Sequence, residues 1–271
     1  MDSRLDALPG VVITEQTRLA DAVMAAVGGP HEAGNKYKIY QLPGDKRLAT
    51  SHQDTHASWL PKKAELNAMQ PAMSVVEKSS GCLRVVLALF GGYNLRALKL
   101  NFVDSSYRVP YIAHRPCKMG AACCCPLEMT MYDANGDMVG QVVEKTENCF
   151  WEQFCLCTYT QKVLVGSSRQ SLVHKYNIVN PCLCCGRVNN CCGSTCCKQN
   201  FFIDITDPQG RIMSYAHKTY GGDGGCCTHD FSNYVLPFPK DATLLDRMML
   251  VMGMLSTGYT YHTPEGTIFN S

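Results

Sequence analysis

The sequence predicts a mainly β protein, an antiparallel barrel or sandwich with an apolar helix near its C-terminus. Two observations carry that reading. Alternating apolar and polar segments recur in pairs around short turns rich in Asp and Gly, the pattern of β-hairpins. Long amphipathic helices are missing between them, which argues against a parallel sheet with crossover helices. A third observation, the apolar run Met248–Leu255, supplies something for such a sheet to close around.

The elements follow in chain order. Leu5 to Val27 carries a loose helical period in Leu19, Val23 and Val27, and predicts a short helix leading into the first strand. "NKYKIYQLPGDKRLATS" reads as strand, Pro-Gly-Asp turn and strand, with Tyr37, Ile39 and Leu42 broadly alternating with Lys36, Lys38 and Gln41. Ala57 to Gly92 contains Pro61 and Pro71 as breakers and reads as an inserted helical or irregular excursion. "LRALKLNFVDSSYRVPYIAHR" and "LEMTMYDANGDMVGQVVEK" are further strand–turn–strand units, the second turning through Asp133-Ala-Asn-Gly-Asp137. "SLVHKYNIVN" is a single alternating strand, and "NFFIDITDPQGRIMSYAHKTYGG" turns through Asp207-Pro-Gln-Gly210. The hairpin module thus recurs four times. Residues 1–30 read as a lead-in segment, and 31–271 as one domain including a helix at about 242–258.

The terminal helix raises the membrane question. A spanning helix needs about 20 mostly apolar residues. The widest window, Leu244 to Tyr261, has 18 and includes Asp246 and Arg247. Charges near one end could snorkel, yet a helix apolar on all sides has another home, the interior of its own barrel. That placement is the favoured one, with Met248, Leu250, Val251, Met252 and Leu255 buried, Asp241 as N-cap, and Tyr259 to Phe269 returning as a last strand.

Composition narrows the function classes. The chain has 271 residues, 46% of them hydrophobic, and a formal net charge of +2, so no strong overall field for a polyanion is expected. The first residues scatter Asp2, Asp6, Glu15 and Asp21 among apolar ones, unlike a secretory signal. A cytosolic setting follows, in which the 17 cysteines are mostly reduced. They fall into groups: Cys123-Cys124-Cys125; Cys149, Cys155 and Cys157; seven between Cys182 and Cys197; and Cys226-Cys227. The seven offer zinc-ligand pairs such as Cys182/Cys184 and Cys192/Cys196, but the surplus thiols argue against one zinc tetrahedron. Small thiols packed round a glycine-rich turn are the other reading. No catalytic constellation for bond chemistry stands out. His52 and His56 lie in an irregular stretch without a third ligand, and Gly221–Gly225 lacks the strand–helix context of a phosphate loop.

With these residues in view, the chain resembles the phospholipid scramblase family, within the wider group of tubby-like barrels. The resemblance runs from about Leu5 to about Tyr261. It rests on "LPG" near the start, "NKYKIY", "RPCKMGAACCCPLEMTMYDANGDMVG", "VNPCLCCGRVNNCC", "FFIDITDPQGRIMSY" and "DFSNYVLPFPKDATLLDRMMLVMGMLST". It implies a closed twelve-stranded antiparallel barrel around the C-terminal helix. It also implies calcium-activated, ATP-independent movement of phospholipids between leaflets by a protein held at the cytoplasmic face of membranes through acylated cysteines. On that basis Cys123, Cys124 and Cys125 are the acylation sites, although Leu127 and Glu128 stand where the family string continues with cysteines. Calcium would fall to Asp230, Ser232, Asn233 and Asp241, with Ser232 where the family has an acid. The stretch "GRIMSYAHKTYGG", which matches a DNA-binding region ascribed to some relatives, has only Arg211 and Lys218 as fixed charges, too few for several phosphate contacts. Phospholipid is therefore the expected partner, and no protein partner is indicated. The alternative is a soluble tubby-like scaffold that binds lipid or protein without transporting anything.

Overall fold

The computed structural model describes residues 8–16, 36–51, 58–78, 97–118, 125–145, 159–180, 200–220 and 232–262. They form twelve antiparallel strands closed into a barrel: β1 (Gly10–Gln16), β2 (Lys36–Gln41), β3 (Met73–Lys78), β4 (Leu98–Asp104), β5 (Tyr111–Arg115), β6 (Glu128–Asp133), β7 (Met138–Glu144), β8 (Tyr159–Val165), β9 (Val173–Asn180), β10 (Phe201–Thr206), β11 (Ile212–Tyr220) and β12 (Ser232–Pro237). Every strand pairs with its sequence neighbours, and β1 pairs with β12 to close the ring. Closure removes the free strand edges that an open sheet would expose.

Inside the ring lies α2 (Leu244–Thr257), buried among inward-facing residues such as Val11, Ile39, Val75, Leu100, Val142 and Ile178. A strand turns alternate side chains to opposite faces. In β4, accordingly, Leu98, Leu100 and Phe102 are buried against the lumen while Lys99 is exposed. Met248, Leu250, Val251, Met252 and Leu255 are all buried, as the apolar run predicts. A short helix, α1 (Lys63–Ala68), covers part of the barrel's outside; its Leu66 joins Val12, Tyr40 and Val235 in a second apolar cluster.

Three of the four expected hairpin modules use one turn. Asp104, Asp133 and Asp207 each accept backbone N–H bonds at Oδ1 from the residues two and four positions on. The residue three positions on has positive φ each time: Tyr107 at 60°, Gly136 at 88° and Gly210 at 84°. The fourth module is a correction. After β2, residues 42–51 make no barrel strand; they run over the outside, where Trp59 N–H donates to Arg47 O at 2.8 Å.

Other expectations also change. Where a helix was expected between Leu5 and Val27, Gly10–Gln16 is a barrel strand. Val11 and Ile13 face the lumen and Val12 joins the outer cluster, the alternation of a strand, whereas Leu19, Val23 and Val27, which carry the helical period, lie outside the described residues. β1 therefore lies within residues 1–30, the stretch read as a lead-in, and "NKYKIY" supplies the second strand. The Ala57–Gly92 excursion contains α1 and a true strand, β3, whose Met73, Val75 and Glu77 point inward. β8 had no sequence expectation at all. Asp241 is not the N-cap. Thr243 is, with Asp246 closing a reciprocal capping box: Asp246 N–H donates to Thr243 Oγ1 at 3.2 Å and Thr243 N–H to Asp246 Oδ2 at 3.0 Å. Finally, Tyr259–His262, read as the start of a returning strand, is not one. Gly258–His262 continues α2 as a π-helical turn, and residues 263–271 lie outside the described part.

Candidate functional site

The two ends of the barrel differ. At one, which we call the turn end, lie the three Asp-bearing turns, residues 42–72, the link between β8 and β9, and the stretch leading from β12 into α2. At the other, odd-numbered strands finish and even-numbered strands begin. In chain order, every one of the 17 cysteines falls in a stretch joining strands at that second end. Cys82 lies between β3 and β4, Cys117 and Cys123–Cys125 between β5 and β6, and Cys149, Cys155 and Cys157 between β7 and β8. Cys182–Cys197 lie between β9 and β10, and Cys226-Cys227 between β11 and β12. Among the described residues Cys117 and Cys125 are free and exposed. Cys123, Cys124 and the Cys182–Cys197 group lie outside the described residues, as do His52 and His56.

α2 enters at the turn end and finishes toward the cysteine end. Its charged residues stay at the entrance: Asp246 in the capping box, and Arg247 donating from Nε to Ala242 O at 3.0 Å, its guanidinium 5.6 Å from the Phe238 ring centroid. Close packing follows along the lumen. A Cβ on Gly253 would run into Ile178 Cδ1, and one on Gly140 would sit 2.6 Å from Leu164 O and from Met249 Cε. The two glycines let helix and wall approach where any larger residue would part them.

Toward the cysteine end the lumen turns polar. Tyr259 Oη donates to Glu77 Oε2 at 2.9 Å; its ring meets Tyr37 edge-on at 5.8 Å and lies 5.8 Å from the Arg115 guanidinium carbon. Thr257 Oγ1 donates to Gln161 Oε1 at 3.0 Å, and Gln161 Nε2 donates to Ser256 Oγ at 3.3 Å. Lys218, also buried, donates to Tyr234 Oη at 3.4 Å. Burial, then the nearby Glu15 charge, pushes the Tyr37 hydroxyl well above its usual range. Ser256 and Thr257 tie the end of α2 to β8, and Tyr259 ties the π-helical turn after it to β2, β3 and β5. None of these groups was singled out from sequence, because an inward Glu or Lys at a strand end reads like an outward one.

The expected calcium residues are only partly brought together. Asn233 is wholly buried on β12 and accepts the Thr14 hydroxyl at Oδ1, 2.8 Å away. Asp241 is exposed beyond the opposite end of the same strand. The four residue steps from Asn233 to Pro237 alone span about 13 Å at strand rise, whereas calcium ligands sit at about 2.3–2.6 Å from the ion. One ion therefore cannot take both. Asp230 lies outside the described residues, and of Ser232 only the backbone is described, at the start of β12. Among the described residues no group of three or more His, Cys, Asp and Glu side chains is gathered for a metal. No helix among them is long and apolar enough to cross a membrane, which leaves open what strands do.

Comparison with family models, with curated proteins and with solved structures finds no match to this chain.

Proposed function

We propose that the chain is a phospholipid scramblase-like barrel, attached to the cytosolic face of a membrane by S-acylation of Cys123, Cys124 and Cys125, which moves phospholipid between leaflets without ATP. The observation that carries this reading is the gathering of all the cysteine-bearing stretches at one end of the barrel, where Cys125 is exposed. Each buried CH₂ of an acyl chain contributes about 0.8 kcal/mol, and one chain alone anchors only marginally. Adjacent acceptors permit the two or more chains that stable attachment requires. Calcium activation, which the family resemblance implies, would draw on Asp230, Ser232 and Asn233 at this same end, without Asp241.

In cells, the Cys123/Cys124/Cys125→Ser variant should move from the membrane fraction to the soluble fraction. Retention on membranes washed at high salt, which releases protein held by charge alone, would reject acylation there as the anchor. One observation favours a second reading, a tubby-like lipid- or protein-binding scaffold without transport: α2 is packed against the wall inside the lumen, where a head group would have to pass. Purified protein in liposomes with labelled lipid, with and without calcium, separates the two. Accelerated leaflet exchange supports transport; equal rates with and without protein leave the scaffold.

A further inference from the structure

The outer face of β2 to β5, near the cysteine end, carries a patch that net charge conceals. Lys36 and Lys38 on β2, Lys78 on β3 and Lys99 on β4 all lie opposite in parity to lumen-facing neighbours, so they share the outer surface; His114 on β5 extends the row. Lys36, Lys78, Lys99 and His114 are exposed and Lys38 is half-buried. Register makes the patch tight. Lys78 is the direct partner of Lys99, and Lys99 of His114, while Lys36 pairs with Val76, two residues before Lys78 on the same face. Directly opposed side chains stand roughly 4.5–5.5 Å apart at Cβ, and like charges so placed destabilise a sheet. The acids of these strands do not offset them: Glu77 faces the lumen and holds Tyr259, and Asp104 is folded into its turn at the far end. The remaining outward positions of these strands are neutral, Ser74, Val76, Asn101 and Ile112 among them. No salt bridge to any of the four lysines occurs among the described residues.

We propose that this patch is a docking surface for an anionic bilayer, acting beside the cysteine end and independently of acylation. Two opposed lysines without a carboxylate between them are a liability that an external anion removes. An anionic lipid surface is such a counter-charge, and each Lys brought near one strengthens binding roughly fivefold. Four cations on one convex wall suit a plane of head groups. Nucleic acid is the less suitable polyanion, because Ser74, Val76 and Asn101, the neutral residues among the four lysines, give bases no aromatic platform for stacking. The proposal goes beyond the acylation reading, because it gives the unmodified chain a membrane affinity of its own.

The test uses purified full-length protein that has not been acylated. Sedimentation with phosphatidylserine-containing vesicles should capture the protein; pure phosphatidylcholine vesicles should capture far less, and raised salt should release it. Lys78→Gln/Lys99→Gln should weaken capture roughly 25-fold, two lysines at about fivefold each. Its thermal midpoint should stay level or rise, because a like-charge pair is removed. Lys175→Gln/Lys240→Gln, at the turn end, should bind like the parent. Equal capture by both vesicle types, or unchanged capture of the Lys78/Lys99 variant, would overturn the proposal. So would binding of the patch to duplex DNA without binding to vesicles. Because no acyl chain is present, failure here leaves the cysteine anchor untouched, and membrane retention of the triple-serine variant leaves this patch untouched.

Discussion

Single residues in this barrel reveal themselves where a local rule is broken. Tyr107 occupies the turn position that Gly136 and Gly210 fill in the two sister turns, with the same left-handed backbone and 91% of its surface exposed. Its Cβ strains that conformation and its ring gains no packing in return. Tyr107→Gly should therefore raise stability by up to about 1 kcal/mol, read as a higher denaturant midpoint with an unchanged slope. His217 breaks a different rule. It is buried on the outer face of β11 and stacked on Phe202 at 4.2 Å, and burial holds its imidazole down at about 4, below the ordinary 6.5. The sign follows from linkage. The unfolded chain takes up this proton first as pH falls, so the contribution is complete above pH 6.5 and is lost progressively on the way down to about 4. One such proton gives a slope of at most about 1.4 kcal/mol per pH unit. His217→Phe keeps a ring on Phe202 and should flatten the stability profile in that window, as measured by denaturant unfolding above and within it. An unchanged slope would assign the acid sensitivity elsewhere.

At the scale of elements, the helix and the wall around it form one packed unit. Gly253 marks the tightest approach, against Ile178 on β9. Gly253→Val should destabilise by roughly 1–3 kcal/mol through overpacking, and adding Ile178→Ala should recover part of that loss, a coupling that a double-mutant cycle measures directly. The elements also show where sequence reading succeeds. β4 to β7, β10 and β11 were legible because local alternation coincides with a turn built on a single Asp, and α2 because its apolar run is too short to span a bilayer and apolar on every side. β1 and β3 were not. "GVVITEQ" and "MSVVEK" alternate as well as the others, but neither ends in that turn. Their partners come from the opposite end of the chain or across α1, which local pattern does not encode. β8 was hidden for the same reason, its link to β9 being built on Ser168 and Ser171.

For the molecule as a whole, enclosure of α2 means that barrel and helix stabilise each other. A chain ending at Lys240 leaves the lumen without the residues that fill it, and buried apolar wall without a partner is not tolerated in water. That truncation should lose its cooperative thermal transition and either aggregate or fold only partially, by circular dichroism and size-exclusion chromatography. A compact, cooperatively folding product would show instead that the wall can close upon itself. The candidate site was legible in part. The thiols of Cys123–Cys125 are conspicuous in one dimension, but that the other cysteine groups belong to the same end depends on strand order. The calcium set shows the reverse: Asn233 and Asp241, near neighbours in sequence, are carried to opposite ends by the strand between them.

Alternation, Asp-bearing turns and a short greasy helix by themselves determined that this chain is antiparallel β and that the helix belongs inside it. Those are local properties, set by which face of a strand a side chain takes and by which residues accept a tight turn. Tertiary structure alone decided the closure of β1 on β12, the polar grip on Tyr259, and the meeting of Lys36, Lys38, Lys78 and Lys99 on one wall of a nearly neutral protein. Each depends on the pairing of strands distant in sequence, and register between such strands is a property of the assembled ring.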